Sequence, residues 1–193
     1  MKDYKPKNNR KSIRLQSYDY SNPGYYFVTI CTKDREAIFG NIENGMMAKN
    51  ELGNVAYKYW LRMPIQYDYV RIPAFVIMPN HVHGIIEVTQ KHTPTVGAIH
   101  ELPLRLGIID HETYRKERRQ MYLSKIVGWY KMNVSKEINN RFGLNGSSCW
   151  QRNYYEHIIR NQKSLNKITE YIEKNPQLWE KDKYFNKSRR GNS

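Results

Sequence analysis

A chain of 193 residues can bury a real core and is most economically read as one domain. It carries 32 Lys+Arg against 18 Asp+Glu, a formal net charge of +14, so nucleic acid is the first partner to consider and an anionic membrane the second. No run approaches the roughly 18 apolar residues of a membrane-spanning helix, and no apolar stretch follows the basic N-terminus as it would in a secretory signal. Cys31 and Cys149 are too few for a disulfide framework or a thiolate metal site and read as reduced cytoplasmic thiols, and a membrane-surface role has only the net charge behind it.

In chain order, residues 1–14 form a basic arm whose Arg10, Lys11 and Arg14 could clamp phosphates. Ser21-Asn22-Pro23-Gly24 signals a turn, and residues 25–32, YYFVTICT, are aromatic and β-branched enough for a buried central strand. Residues 37–39 and 46–48, on either side of Asn44-Gly45, predict a small hairpin. Leu52, Val55, Ala56, Tyr59 and Met63 recur at helical spacing and Pro64 closes that run, which predicts a first helix over residues 51–62. Residues 70–78 and 81–88 are two strands joined at Pro79-Asn80. Residues 91–117 have no sustained period and make a flexible insertion. From residue 118 a long helix presents Leu123, Ile126, Val127, Tyr130, Val134, Ile138 and Phe142 on one face and Lys125 and Lys131 on another. Those lysines are either an ordinary solvated face or a ridge that follows phosphates. Residues 150–160 are extended, with Arg152 and Arg160 placed for phosphate contacts and Tyr154 and Tyr155 for base stacking. His157 either supports a site there or makes a structural hydrogen bond. Ser164 is the expected N-cap of the last helix, and a basic tail covers residues 186–193.

The chemistry concentrates in FVIMPNHVHGIIEV, residues 75–88. Alternate residues of a strand share a face, so His81 and His83 can converge on one cation while Val82 points into the core. Two neutral imidazoles leave coordination positions open for a substrate oxygen. Taken alone, the pair reads more readily as surface or hydrogen-bonded strand histidines with no ligand, because a two-residue motif recurs often by chance. On the last helix, Leu165, Ile168, Ile172 and Trp179 form an apolar stripe, and Tyr171 and Asn175 lie together on its border as an i, i+4 pair. A phenol needs help to attack a phosphodiester, which a divalent ion can provide. An Asn carbonyl can complete the coordination of that ion without adding negative charge beside DNA.

These segments resemble the single-tyrosine HUH transposases of the IS200/IS605 type, and more specifically the REP-associated tyrosine transposases. The resemblance is carried by Arg14 with YDYSNPGYYFVTICT, FVIMPNHVHGII, LSKIVGWYKMNVSKEIN and WQRNYYEHIIRNQKSLNKITEYIEKNPQLW, in that order along the chain. It implies an α+β fold, a ferredoxin-like (RRM-like) antiparallel β-sheet covered by α-helices, with the enzyme occupying residues 15–185. It further implies Mg²⁺- or Mn²⁺-dependent cleavage and strand transfer of single-stranded DNA near a hairpin. The products would be a 5′-phosphotyrosine intermediate and a free 3′-OH. His81 and His83 match the family's histidine pair, Tyr171 its nucleophile, and Asn175 its polar metal ligand. Insertion-sequence relatives exchange the tyrosine helix across a homodimer, whereas REP-associated ones can act as monomers.

Two other function classes compete. A non-catalytic binder of single-stranded nucleic acid on an RRM-like sheet would bind without forming an adduct, and leaves the joint placement of His81, His83, Tyr171 and Asn175 unexplained. A histidine-dependent phosphoesterase of the histidine-triad kind would need a further histidine where Ile85 stands.

Overall fold

The computed structural model describes residues 18–90, 121–143, 146 and 148–185. The basic arm with Arg10, Lys11 and Arg14, the link over 91–117 and the tail over 186–193 lie outside the described residues. The central sheet contains β1 (Gly24–Cys31), β4 (Val70–Met78), β5 (His81–Val88) and β6 (Tyr155–Ile159), in the order β4-β5-β1-β6 with every pair antiparallel. A separate hairpin is formed by β2 (Gly40–Glu43) and β3 (Met46–Lys49). The helices are α1 (Glu51–Leu61), the short α2 (Met63–Gln66), α3 (Tyr122–Phe142) and α4 (Gln162–Lys174). With the hairpin set aside, the order β1-α1-β4-β5-α3-β6 and the strand arrangement make the fold ferredoxin-like, an α+β architecture.

One sheet face is covered by α1 and α3. Tyr26, Val28 and Ile30 of β1 and Val82 and Ile86 of β5 meet Val55 and Trp60 of α1 and Leu123, Ile126, Val127 and Tyr130 of α3 in the main core. Tyr130 donates from its hydroxyl to the Ala56 carbonyl at 3.2 Å, and a Lys58–Glu137 ion pair joins the two helices nearer the surface. Gly84 is required by this packing: a Cβ there would stand 2.2 Å from Cζ2 of Trp60. The other face carries α4, which lays Leu165, Ile168 and Ile172 against Ile85, Ile159 and Val76. Strand alternation therefore sends Val82 and Gly84 to the main core and His81 and His83 to the α4 side.

The two strands joined at Pro79-Asn80 have the expected bounds, and β1 is an interior strand. Other expectations need correction. Asn161, not Ser164, caps α4: its side-chain oxygen accepts from the Ser164 amide at 2.8 Å, which puts Ser164 at the third helical position. Trp179 is not part of the α4 stripe but sits in a following 3-10 turn (Trp179–Lys181), packed with Cys31, Met78 and Tyr184. Pro64 does not end the helical region but stands at the start of α2, where its missing amide hydrogen costs no hydrogen bond. The first hairpin strand starts at Gly40 rather than residue 37, because Asn44 and Gly45, with φ of 51° and 73°, form a tight turn that pairs Glu43 with Met46.

Candidate active site

Both histidine side chains are fully buried on the α4 side of β5, and each ring has one nitrogen anchored. His81 Nδ1 lies 2.8 Å from Oδ1 of Asn80, and His83 Nδ1 lies 2.8 Å from Oγ1 of Thr29. Asn80 Oδ1 can only accept, so His81 carries its proton on Nδ1 and presents Nε2 as a lone pair. Buried His81 Nε2 has no hydrogen-bond partner among the described residues. Fixing one ring nitrogen so that the other can serve as a ligand is the usual outer-sphere arrangement of a metal histidine. Burial pushes the His81 pKa down to about 3, with the Lys183 and Arg35 charges adding to the effect. His83 is likewise held well below its ordinary value by burial and by His81, against an opposing pull from Asp182. Both rings are therefore neutral, the form that binds metal.

The second wall is built by the end of α4 and the turn after it. Tyr171, 38% exposed, places its hydroxyl 3.1 Å from His83 Nε2 and 3.2 Å from Asp182 Oδ2. Asn175 is the helix C-cap and is buried; its Nδ2 donates to Asp182 Oδ2 at 2.9 Å, while its Oδ1 has no hydrogen-bond partner among the described residues. Asp182 Oδ1 also accepts from the Tyr184 amide at 2.7 Å. Burial, followed by the charge and hydrogen bond of Asp182, raises the Tyr171 phenol above its ordinary pKa.

His81, His83 and Asp182 form a possible metal site among the described residues: one ligand atom from each falls within 4.8 Å of the others. The donor chemistry fits a divalent cation. Two imidazoles and a carboxylate converge, and the oxygen of the buried Asn175 amide, one helical turn from Tyr171, has no hydrogen-bond partner among the described residues. Asp182 is absent from the sequence-level set. It lies seven residues beyond Asn175, in an irregular turn after Pro176, where helical periodicity gives no signal.

The remaining sequence candidates fall elsewhere. Lys125 and Lys131 are on α3, on the far side of the sheet from the histidines, and Lys131 Nζ donates to the carbonyls of Gln151 and Arg152 at 2.5 and 3.1 Å. Arg152 and Arg160 are exposed next to β6. Tyr154 packs toward the main core, whereas Tyr155 lies on the histidine face, edge-on to Phe27 at 6.3 Å. His157 is exposed and pairs across the sheet with Phe27, whose ring is 5.3 Å from that of His83.

The sheet is ferredoxin-like, and its α4 face holds two neutral histidines, a carboxylate and a helix-borne tyrosine. Residues 110–175 match the family described as "Transposase IS200 like", a segment that contains Tyr171 and Asn175 and ends before Asp182. Over that segment, about a third of the chain, the protein is similar to this family. It is 42% identical over 176 residues to an uncharacterized protein of Haemophilus influenzae, covering 91% of this chain and 93% of that one. It is also similar to the solved structure of a REP-associated tyrosine transposase bound to a REP hairpin, at 18% identity over 91% of this chain and 73% of that chain with a TM-score of 0.46. A candidate transposase from Deinococcus radiodurans matches at 14% identity over 83% and 95% of the two chains, with a TM-score of 0.45. No helix among the described residues is long and apolar enough to cross a membrane.

Proposed function

We propose that this protein is a divalent-metal-dependent nuclease and strand transferase acting on single-stranded DNA that bears a hairpin, with Tyr171 as the nucleophile. The observation that carries this reading is the placement of the Tyr171 hydroxyl 3.1 Å from a ring nitrogen of a buried, neutral histidine pair. His81, His83 and Asp182, with Asn175 beside them, would hold Mg²⁺ or Mn²⁺. When bound, such an ion neutralises phosphoryl oxygens and stabilises the crowded transition state.

The side chains supply the rest. The Tyr171 phenol gives up its proton, for which Asp182 Oδ2 is an acceptor at 3.2 Å. Its oxygen bonds to phosphorus as the bond from phosphorus to the 3′-oxygen breaks, and that oxygen leaves as a free 3′-OH after taking a proton. The strand stays attached as a 5′-phosphotyrosine, so the phosphodiester's free energy is kept for religation or transfer and no nucleotide cofactor is consumed. Reach between Tyr171 and His83 within one chain supports a site assembled in cis, the behaviour expected of the REP-associated branch. The long link and basic ends of the sequence support the same branch.

The test incubates the protein with hairpin-bearing single-stranded DNA and Mn²⁺ or Mg²⁺ and looks for an adduct that survives denaturation. The wild type forms it and Tyr171→Phe does not. An adduct retained by Tyr171→Phe would displace Tyr171 as nucleophile. Tight binding with no adduct from the wild type would favour a non-catalytic single-strand binder.

A further inference from the structure

Two exposed cations stand at the rim of this site without an assigned task. Arg35 ends the 3-10 turn Lys33–Arg35, and Lys183 directly follows Asp182. No ion pair to a carboxylate engages either side chain among the described residues. Both heads lie over one ring, that of Tyr184, at 5.3 Å for Arg35 and 4.9 Å for Lys183. The Tyr184 ring in turn is 4.7 Å from the ring of His81 and 5.8 Å from that of His83. Lys183 also stands 5.4 Å over Tyr155, on the same sheet face as the histidines.

Their positions are built in. Asp34 and Arg35 are consecutive non-glycine residues in the left-handed region, with φ of 52° and 57°, a backbone that persists only where surrounding bonds impose it. Buried Asn80 supplies such bonds: its Nδ2 lies 3.2 Å from the Arg35 carbonyl and 2.8 Å from that of Tyr184, while its Oδ1 holds His81. One amide thus ties the Arg35 turn, the Lys183-Tyr184 segment and the histidine strand into a unit. A cation resting on an exposed aromatic is commonplace by itself. Two cations sharing one ring that also contacts both site histidines, secured by the amide that orients His81, form a more specific arrangement.

We infer that Arg35 and Lys183 form a phosphodiester clamp that grips the DNA backbone beside the bond attacked by Tyr171. The inference rests on the nuclease reading for the identity of that bond, but not for phosphate binding itself. The Arg35 guanidinium can take two phosphate oxygens at once, and Lys183 serves as a point charge beside the Tyr155 face, where an unpaired base can stack.

The test measures binding of a fluorescein-labelled DNA hairpin with single-stranded flanks by anisotropy, in EDTA and across a salt series. Releasing one phosphate contact to single-stranded DNA lowers the slope of log affinity against log salt by about 0.7. Arg35→Ala and Lys183→Ala should each lose about that much, and the double variant about twice as much. Arg35→Lys should regain the slope, and Lys136→Ala, on the far helix layer, should leave it unchanged. Thermal melting confirms that each variant is folded, with Arg35→Gln as the substitute if Arg35→Ala is not. Slopes equal to wild type in both single variants overturn the clamp, as does an equal fall in Lys136→Ala. If the slopes fall as expected but the wild type forms no adduct with Mn²⁺, the phosphate site stands and the nuclease reading falls.

Discussion

Asp182 Oδ2 is 3.2 Å from the Tyr171 hydroxyl, and this carboxylate does two opposite things to the phenol. It offers a destination for the proton, yet its charge and hydrogen bond help to raise the tyrosine pKa above its ordinary value, after burial. The attacking species is the deprotonated oxygen, so the fraction ready to react grows as pH rises toward the raised pKa. Single-turnover adduct formation at saturating Mn²⁺ should rise with pH through the neutral and mildly alkaline range. A flat profile in single-turnover kinetics would mean that phenol ionisation does not limit the step.

Metal binding should be separable from DNA chemistry. Calorimetric titration with Mn²⁺ in the absence of DNA should show one site in the wild type and none in His81→Ala. Asp182→Asn should weaken it by roughly ten- to a hundredfold, since it alters a charged donor but keeps the shape. The same Asp182→Asn protein should lose adduct formation and keep most of its DNA affinity. Equal metal affinity in Asp182→Asn and wild type would remove Asp182 from the coordination set and leave Asn175 Oδ1 as the helix-side donor.

The histidine pair also makes the fold sensitive to acid. In the unfolded chain a histidine takes a proton near its ordinary pKa, whereas His81 stays neutral down to about pH 3 and His83 is displaced in the same direction. Below the ordinary pKa the unfolded state binds more protons, so stability falls as pH falls across the window from about 6.5 to about 3. At full effect each histidine contributes a slope of about 1.4 kcal/mol per pH unit. Urea unfolding between pH 7 and 4 should show this slope in metal-free wild type and a shallower one in His81→Gln. Added Mn²⁺ should raise the midpoint at neutral pH and lose its effect as the sites acidify.

Much of this was legible because it depends on period. The alternation around His81-Val82-His83 places two imidazoles on one face whatever the tertiary context, and the 3.6-residue stripe of Leu165, Ile168 and Ile172 places Tyr171 on a border. What period cannot express is irregular backbone. Asp182 is delivered by a turn after Pro176, and Arg35 by a left-handed turn between strands, so both come to the histidines through chain reversals without sequence spacing. The same limit explains the Ser164 cap: Asn161 and Ser164 are both good capping residues three positions apart, and only the backbone decides which side chain meets the free amides. Trp60 was missed in the α1 stripe, although it is fully buried, because the need for it arises from Gly84 on another strand.

That Trp60–Gly84 contact allows a test of the core independent of chemistry. The space beside Gly84 is filled by the indole, and any Cβ would meet Cζ2 at 2.2 Å, so β5 or α1 must shift to accept alanine. Gly84→Ala should therefore destabilise by about 1–3 kcal/mol, the usual range for overpacking. Because Gly84 faces the opposite side from His83, the shift should displace the histidine strand and lower metal affinity as well. A Gly84→Ala protein with wild-type urea midpoint would show that Trp60 has another rotamer available.

Asn80 is the residue on which the two halves of the site most depend, and its substitution gives the broadest prediction. It is 2% exposed, and its side chain bonds the Arg35 carbonyl, the Tyr184 carbonyl and His81 Nδ1. Asn80→Ala leaves the buried Tyr184 carbonyl, the partly buried Arg35 carbonyl and a ring nitrogen without these partners, at about 1–3 kcal/mol for each group that water cannot reach. It also frees the His81 ring to rotate or change tautomer, so Mn²⁺ affinity should fall by about ten- to a hundredfold. Asn80→Asp keeps an acceptor for His81 and loses the donor to both carbonyls. It should therefore hold Mn²⁺ better than Asn80→Ala, while the salt slope of DNA binding drops in both as the Arg35 turn and Lys183 lose their common tether. Calorimetry and the anisotropy salt series measure the two effects separately, and identical losses of metal affinity in Asn80→Ala and Asn80→Asp would mean that Asn80 does not set the His81 tautomer.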